Sequence, residues 1–184
     1  MVILRNIFKG TLVEQYSIKA VTFVDNHDTQ LGSSLQSWVE SWFKPIAYSL
    51  ILLRMEGYPC IFYGDYYGIP SHGYFGIGSY LDLLLKARKQ LAYGEQHDYF
   101  DDKNIIGWTR EGVKEYKSSG LAVLLTNKLG GEKKMYIGKQ FFGKKFKDLL
   151  SNFQEKVVID EEGFGNFMVK NESVSVWILD EIDI

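Results

Sequence analysis

Hydrophobic positions follow two different patterns along the chain, and the change comes near Gly94. Before Gly94, short continuous apolar runs alternate with stretches of helical spacing, which is typical of strands and helices in turn. After Gly94, short apolar runs are separated by turn residues, which is typical of antiparallel sheets. We therefore predict an α/β region over residues 1–94 and an all-β domain over residues 95–184.

The first region is predicted to contain a strand, a helix, a second strand and a second helix, after an opening amphipathic helix over residues 3–15. The strands are predicted at 21–24 and 60–63, and their continuous apolar character suits a parallel sheet covered on both faces. Pro45 is tolerated in a first helical turn, so the intervening helix should begin near residue 43 or 44 and run to Met55.

The second helix is predicted from a leucine repeat that begins near residue 81. Ser79 and Asp82 have the spacing of a capping box, and Gly94 is a natural stop. A right-handed parallel connection brings the carboxyl ends of both strands to one rim. Residues 25–28 and Asp65 should therefore share that rim.

The second region is predicted to form an antiparallel sandwich, because its apolar runs are short and regularly spaced. We expect these strands to close a core of their own. The predicted strands are 105–108, 121–125, 135–137, 157–159, 167–169 and 174–178.

Composition is that of a globular protein, with 46% apolar, 15% aromatic and 24% charged residues. The formal charge of −2 shows no excess of basic residues of the kind that nucleic-acid-binding proteins carry. The longest uncharged apolar run, 46–53, is shorter than the ~20 residues of a membrane span, so we expect no membrane contact.

Cys60 is the single cysteine and is predicted to be buried. With no intrachain disulfide possible and no secretion signal at this end, the predicted location is cytoplasmic.

Polar chemistry is concentrated where the first predicted strand ends. Asp25, Asn26, His27 and Asp28 follow the run at 20–24 without a break. Catalytic groups of parallel barrels stand at the carboxyl ends of strands. The local alternative is a simple turn, because Asp and Asn favour turns through their own hydrogen bonds.

The segment 23–30, F-V-D-N-H-D-T-Q, resembles the fourth signature region of the α-amylase family of glycoside hydrolases. Five further segments are similar, in order and spacing, to the liquefying bacterial type. They are 42–48, 56–65, 86–89, 96–101 and 106–112. The resemblance implies the last two strand-helix units of a (β/α)8 barrel, followed by an antiparallel Greek-key β-sandwich.

The same resemblance implies roles for residues of the rim. Asp28 matches the third carboxylate of the family, which stabilises the transition state, and His27 matches a substrate-binding histidine. Gln30 is a further candidate for substrate contact that the sequence leaves open. Asp25 and Asn26 are predicted to be scaffold, and Asp65 to order the rim.

A calcium site is also implied by the resemblance. His97 and Asp98 match a pair that contributes a backbone carbonyl and a carboxylate to calcium, and Asn127 stands where another carboxylate is expected. An amide has no charge, so we expect calcium in the parent enzyme but weak or no binding by this chain. The alternative is that His97 and Asp98 form only a domain-linking turn.

The family's nucleophile and acid/base motifs, G-F-R-x-D and a G-E type, do not occur in this sequence. A complete barrel needs roughly 250 residues. The implied activity is retaining endo-hydrolysis of α-1,4 bonds in an α-glucan, with the isolated chain inactive. The expected partners are α-glucan and either a missing barrel segment or a second copy. The alternatives are a non-catalytic β module, carbohydrate-contacting or structural, and a truncated gene product.

Overall fold

A computed structural model describes residues 3–184. The helices are α1 (Leu12–Gln15), α2 (Lys44–Leu52), α3 (Tyr63–Tyr67) and α4 (Gly78–Gln90). The strands are β1 (Val21–Thr22), β2 (Tyr58–Pro59), β3 (Gln96–Tyr99), β4 (Ile105–Arg110), β5 (Leu121–Thr126), β6 (Gly131–Tyr136), β7 (Lys145–Asp148), β8 (Val157–Val158), β9 (Phe164–Val169) and β10 (Val174–Leu179). Three short 3-10 turns are Leu4–Asn6, Pro70–His72 and Lys139–Phe141.

The predicted opening helix over residues 3–15 is wrong. A 3-10 turn at Leu4–Asn6 is followed by Gly10, whose φ of +75° is left-handed and ends the helical path. Thr11 then caps the short helix α1, because its hydroxyl accepts a hydrogen bond from the Glu14 amide. A glycine followed by a capping residue therefore divides this segment into two short pieces.

Strands β1 and β2 pair in parallel, with Val21 opposite Tyr58, and α2 lies between them in the chain. Each has only two residues, and β2 lies two residues before the predicted position because residue 63 begins α3. Val21, Tyr58 and Cys60 are exposed, so the predictions of strands covered on both faces and of a buried cysteine are wrong. Membership of a larger barrel stays a prediction.

Helices α2 and α4 agree with the hydrophobic pattern over most of their length. Pro45 is in the first turn of α2, as predicted, although the helix ends at Leu52 rather than Met55. The predicted capping box is wrong, because α4 already begins at Gly78 and Ile77 provides no side-chain cap. Asp82 instead accepts a hydrogen bond from the Tyr66 hydroxyl. No helix within residues 3–184 is long and apolar enough to cross a membrane.

The all-β prediction is confirmed as an antiparallel six-stranded sheet and a second, two-stranded sheet. The strand orders are β3-β4-β5-β10-β7-β8 and β6-β9. All six predicted strands overlap observed strands. Strands β3 and β7 were not predicted, because their sequences Q-H-D-Y and K-F-K-D lack an apolar run.

The six-stranded sheet is the middle of three layers. Side chains on one face of this sheet, among them Trp108, Val123 and Val176, pack against α2 and α4. Side chains on the opposite face, among them Leu124 and Trp177, pack against β6 and β9. The larger core therefore contains residues from both sides of Gly94. The second core, between the six-stranded sheet and β6 and β9, consists only of residues after Gly94, so these strands do close a core of their own, as expected. The boundary near Gly94 stays a prediction.

Candidate functional site

Two segments meet at the carboxyl ends of β1 and β2, and we call them the strand-end rim: residues 23–30 and 60–65. The Tyr58 amide donates to the Ala20 carbonyl and the Cys60 amide to the Thr22 carbonyl, each at 2.7 Å. Because the strands are parallel, both segments leave the sheet at the same edge. Residues 25–28 and Asp65, which were predicted to share one rim, therefore leave the sheet on the same side.

A buried ionic cluster joins the two segments of the rim. The Lys44 ammonium lies 2.7 Å from Asp25 Oδ2 and also pairs with Asp65 Oδ1. The side chains of Lys44 and Asp65 are 0% exposed, and that of Asp25 is 1% exposed. Asp25 also accepts hydrogen bonds from the Val39 amide at 3.3 Å. The cluster thus links the end of each strand to the first turn of α2.

Aromatic side chains enclose this cluster. The Tyr48 hydroxyl donates to Asp65 Oδ2 at 2.6 Å, and burial together with that bond raises the pKa of Tyr48 far above its usual value. The Trp38 ring centroid lies 3.6 Å from Lys44 Nζ, and Tyr74 packs edge-on against Trp38. The rings exclude water, which strengthens the ion pairs and the cation–π contact.

Asn26 forms the turn that presents the next residues to solvent. Its side-chain Oδ1 accepts hydrogen bonds from the amides of Asp28 at 2.9 Å and Thr29 at 3.1 Å, and its carbonyl accepts from the Gln30 amide. This is the local turn that the sequence allowed as an alternative. The turn uses the Asn26 side chain and the Asp28 backbone, so the Asp28 carboxylate is not needed to form it.

Asp28 and His27 project from that turn. Their side chains are 61% and 82% exposed, and His27 Nε2 lies 3.4 Å from Asp28 Oδ1. Gln30, at the end of the turn, is half-buried. An exposed carboxylate beside an imidazole can exchange hydrogen bonds with substrate hydroxyls and can stabilise positive charge. The structure brings the three predicted substrate residues together, and their roles stay predictions.

The predicted calcium residues do not converge. Asp98 makes a two-pronged ion pair with Arg54, at 2.7 and 2.8 Å, and Arg54 also lies against the stacked rings of Phe8 and Phe100. The strand register places Asp98 opposite Trp108 and Trp108 opposite Val123. Asn127 lies four residues after Val123, and its amide donates to the Asn104 carbonyl. At ordinary strand spacings, Asn127 is therefore roughly 16 Å from Asp98. These residues therefore do not form one ligand set.

His97 points to the other face of β3. Its Nε2 lies 2.5 Å from Glu111 Oε1. His97, Glu111 and Glu95 together each offer one potential metal-ligand atom, and these three atoms lie within 4.8 Å of one another. This is the one such group within residues 3–184. One imidazole and two carboxylates differ from the six to eight oxygen ligands that calcium prefers.

Lys44 is the main residue of the site that sequence analysis did not identify. A signal for it was present, because a lysine at the first position of a helix is unfavourable toward the positive end of the helix dipole. A lysine retained there indicates a nearby carboxylate. The sequence did not reveal that two carboxylates, from two different strand ends, would meet it.

Comparisons with known proteins agree with this architecture. Residues 121–178 match the family model described as "Alpha-amylase C-terminal". Over 95% of its length the chain is 55% identical to an α-amylase of Geobacillus stearothermophilus and 50% identical to a glucan 1,4-α-maltohexaosidase of Bacillus sp. strain 707. It is also 42% identical, over 96% of its length, to a cytoplasmic α-amylase of Escherichia coli K12. The chain spans 32%, 34% and 37% of these relatives, about a third of their length.

Solved structures show the same fold at lower identity. A γ-CGTase from alkalophilic Bacillus clarkii matches with a TM-score of 0.58 and 20% identity, over 88% of this chain and 26% of the enzyme. An Anoxybacillus α-amylase matches with a TM-score of 0.58 and 17% identity, over 89% of this chain and 38% of the enzyme. The chain is therefore related in sequence and in fold to the C-terminal region of α-amylases.

Proposed function

We propose that this chain, as a relative of the C-terminal region of α-amylases, supplies part of an α-amylase active site together with the β domain that follows it. The parent activity is endo-hydrolysis of α-1,4 bonds in starch or glycogen with retention of configuration. In this proposal β1, α2, β2 and α4 are the last two strand-helix units of a (β/α)8 barrel. The antiparallel sheets form its Greek-key C-terminal domain.

The exposed Asp28 carboxylate is the observation that supports this proposal. It stands at the carboxyl end of a parallel strand, it is not needed for its own turn, and a buried ion pair secures the same segment through Asp25. A retaining glycosidase also needs a nucleophile and an acid/base about 5 to 5.5 Å apart. Those two carboxylates would come from other strands. Asp28 would then hold hydroxyls of the distorted sugar and favour its developing positive charge, with His27 and Gln30 as neighbouring contacts.

A chimera tests this role. The chain would replace the matching third of the G. stearothermophilus α-amylase, and turnover of soluble starch would be measured with and without Asp28→Asn. Loss of an interaction made mainly in the transition state should cost on the order of 3 kcal/mol, about a hundredfold in kcat, with little change in KM. His27→Ala should have a smaller effect.

Glu155→Gln is the control, because Glu155 is exposed and far along the chain from the rim. It should leave kcat unchanged. A chimera whose Asp28→Asn variant retains turnover within a few fold would contradict the assigned role.

A structural role for the β region is the second candidate function. The larger core is shared between α2, α4 and the six-stranded sheet, which suits a β layer that stabilises the helices. Under both candidates the 184-residue chain should release no reducing sugar from starch. An amylopectin affinity gel distinguishes the two candidates. If the gel retains the chain but not a His27→Ala, Asp28→Asn double variant, the result favours glucan contact at the strand-end rim over a purely structural role.

Calcium binding by the parent and a cytoplasmic location are also proposals. The predicted calcium residues do not converge, so we propose no step that depends on calcium. The cytoplasmic location rests on the single cysteine, which allows no intrachain disulfide, and the E. coli relative is a cytoplasmic α-amylase.

A further inference from the structure

A basic cavity lies where α2 and α4 end beside β4, and we call it the arginine cavity. Its volume is about 530 Å³. Four cationic side chains line it, and an apolar wall includes Leu85 and Tyr93. The cations are Arg54, Arg88, Lys89 and Arg110. The cavity is separate from the strand-end rim, and the proposed function makes no use of it.

Two of these cations lack a carboxylate partner. Arg88 donates from Nη1 to the Leu52 carbonyl, and Arg110 donates from Nε to the Gly94 carbonyl at 3.1 Å. Neither forms an ion pair with any residue in the part of the chain that the structure describes. Arg54 differs, because it pairs with Asp98 and, at 3.0 Å, with Glu56. Glu56, the acid whose charge acts on Arg110, is therefore already paired with Arg54.

Burial makes the absence of a carboxylate partner energetically unfavourable for these two arginines. Arg110 is only 7% exposed, and a guanidinium has five donors, of which Arg110 uses one in the bond to Gly94. Desolvation lowers the pKa of both Arg88 and Arg110, and at Arg110 the attraction of Glu56 opposes this shift while repulsion from Arg88 and Arg54 adds to it. Both stay protonated near neutral pH. The C-terminal ends of α2 and α4 offer only partial negative charge.

We propose that the arginine cavity binds a phosphate-class oxyanion, either inorganic phosphate or the phosphate group of a sugar phosphate. The planar fork of arginine matches two phosphate oxygens, and Arg88 and Arg110 line the cavity from a helix and from a strand. Lys89 adds a third charge from the last turn of α4. The volume exceeds that of a bare phosphate, and the apolar wall gives room for the sugar of an ester.

The test is calorimetric titration of the 184-residue chain with sodium phosphate and, separately, with glucose 1-phosphate. Sodium chloride at equal ionic strength is the blank. The informative variants are Arg88→Gln and Lys89→Gln, because Arg88 is half-buried, Lys89 is exposed, and both tolerate loss of charge better than buried Arg110. Lys86→Gln is the matched control: it removes the same charge from the same helix, but Lys86 is exposed and does not line the cavity.

We expect saturable binding of one anion per chain, weakened at least about tenfold by Arg88→Gln and unchanged by Lys86→Gln. Tighter binding of glucose 1-phosphate would identify an ester site, and equal or weaker binding would identify a site for the free anion. Heats no larger than those of chloride, or equal weakening by Lys86→Gln and Arg88→Gln, would overturn the proposal. Circular dichroism melts of each variant confirm that the chain remains folded.

Discussion

Lys44 and Asp25 form a buried ion pair in which the ammonium nitrogen lies 2.7 Å from a carboxylate oxygen and neither side chain is more than 1% exposed. Lys44 also pairs with Asp65, so one cation is shared by two carboxylates from two strand ends and offsets half of their combined charge. A lone buried charge is strongly unfavourable, whereas this arrangement holds the two segments of the rim in one position. The exposed Asp28 and His27 are positioned by that support.

Lys44→Met should destabilise the chain by about 3 to 5 kcal/mol, because it leaves Asp25 and Asp65 buried without a cation. Urea unfolding followed by circular dichroism measures the change. Lys86→Met, at an exposed position, should stay within about 0.5 kcal/mol of the parent. Adding Asp65→Asn to Lys44→Met should recover part of the loss, and a Lys44→Met effect below about 1 kcal/mol would show that the pair adds little.

Gly94→Ala should be more destabilising than Gly10→Ala. Both glycines have a positive φ, +86° and +75°, so both substitutions incur the same backbone strain of about 1 kcal/mol. A Cβ at Gly94 would lie 2.2 Å from the Gly112 carbonyl oxygen, whereas nothing lies within 4 Å of one at Gly10. The difference between their thermal unfolding free energies isolates this contact. Equal effects would mean that the turn at Gly112 moves freely.

The unfolding free energy should fall as the pH is lowered below about 4, and Asp160 should contribute to that fall. Backbone hydrogen bonds, chiefly from the Phe164 amide, and the nearby Lys134 hold the pKa of Asp160 below its usual 3.8. A carboxylate with a lowered folded pKa stabilises fully above its unfolded pKa, and this stabilisation is lost as the pH falls through the folded value.

Asp160→Asn should therefore reduce the difference in stability between pH 6 and pH 2.5, and Glu155→Gln, at an exposed position, should not. The measurement is urea unfolding at a series of pH values, combined with carboxyl-carbon NMR titration of the parent. An NMR pKa for Asp160 at or above 3.8 would contradict the expected direction.

A chain beginning at Glu95 should lose cooperative unfolding and bind the dye ANS. Removing residues 1–94 uncovers the sheet face that includes Ile106, Trp108 and Val176, and removes the Leu53 carbonyl that accepts from the Trp108 indole. Large uncovered apolar faces associate or stay molten. Dye fluorescence and a calorimetric melt distinguish this from an independent domain. A sharp melt without ANS binding would show that the β region folds alone.

Most strands of the β region could be predicted from the sequence, because the nearly continuous apolar runs of β4, β5 and β10 reflect a sheet that is buried on both faces. Helix α2 could be predicted for a similar local reason, since Pro45 favours a first turn. Strands β3 and β7 could not. Their polar sequences pair with β4 and β10 only because those neighbours offer free edges.

The candidate site divides in the same way. The sequence determined the identity of His27, Asp28 and Gln30 through one continuous motif, and the turn at Asn26 depends on hydrogen bonds between near neighbours. Only the tertiary structure brought Lys44 to Asp25 and to Asp65, which lies 21 residues further along the chain. It also separated Asp98 from Asn127. Periodicity and turn residues depend on local backbone geometry, whereas ion pairs and ligand sets depend on how separate elements are placed, which the pattern along the chain does not specify.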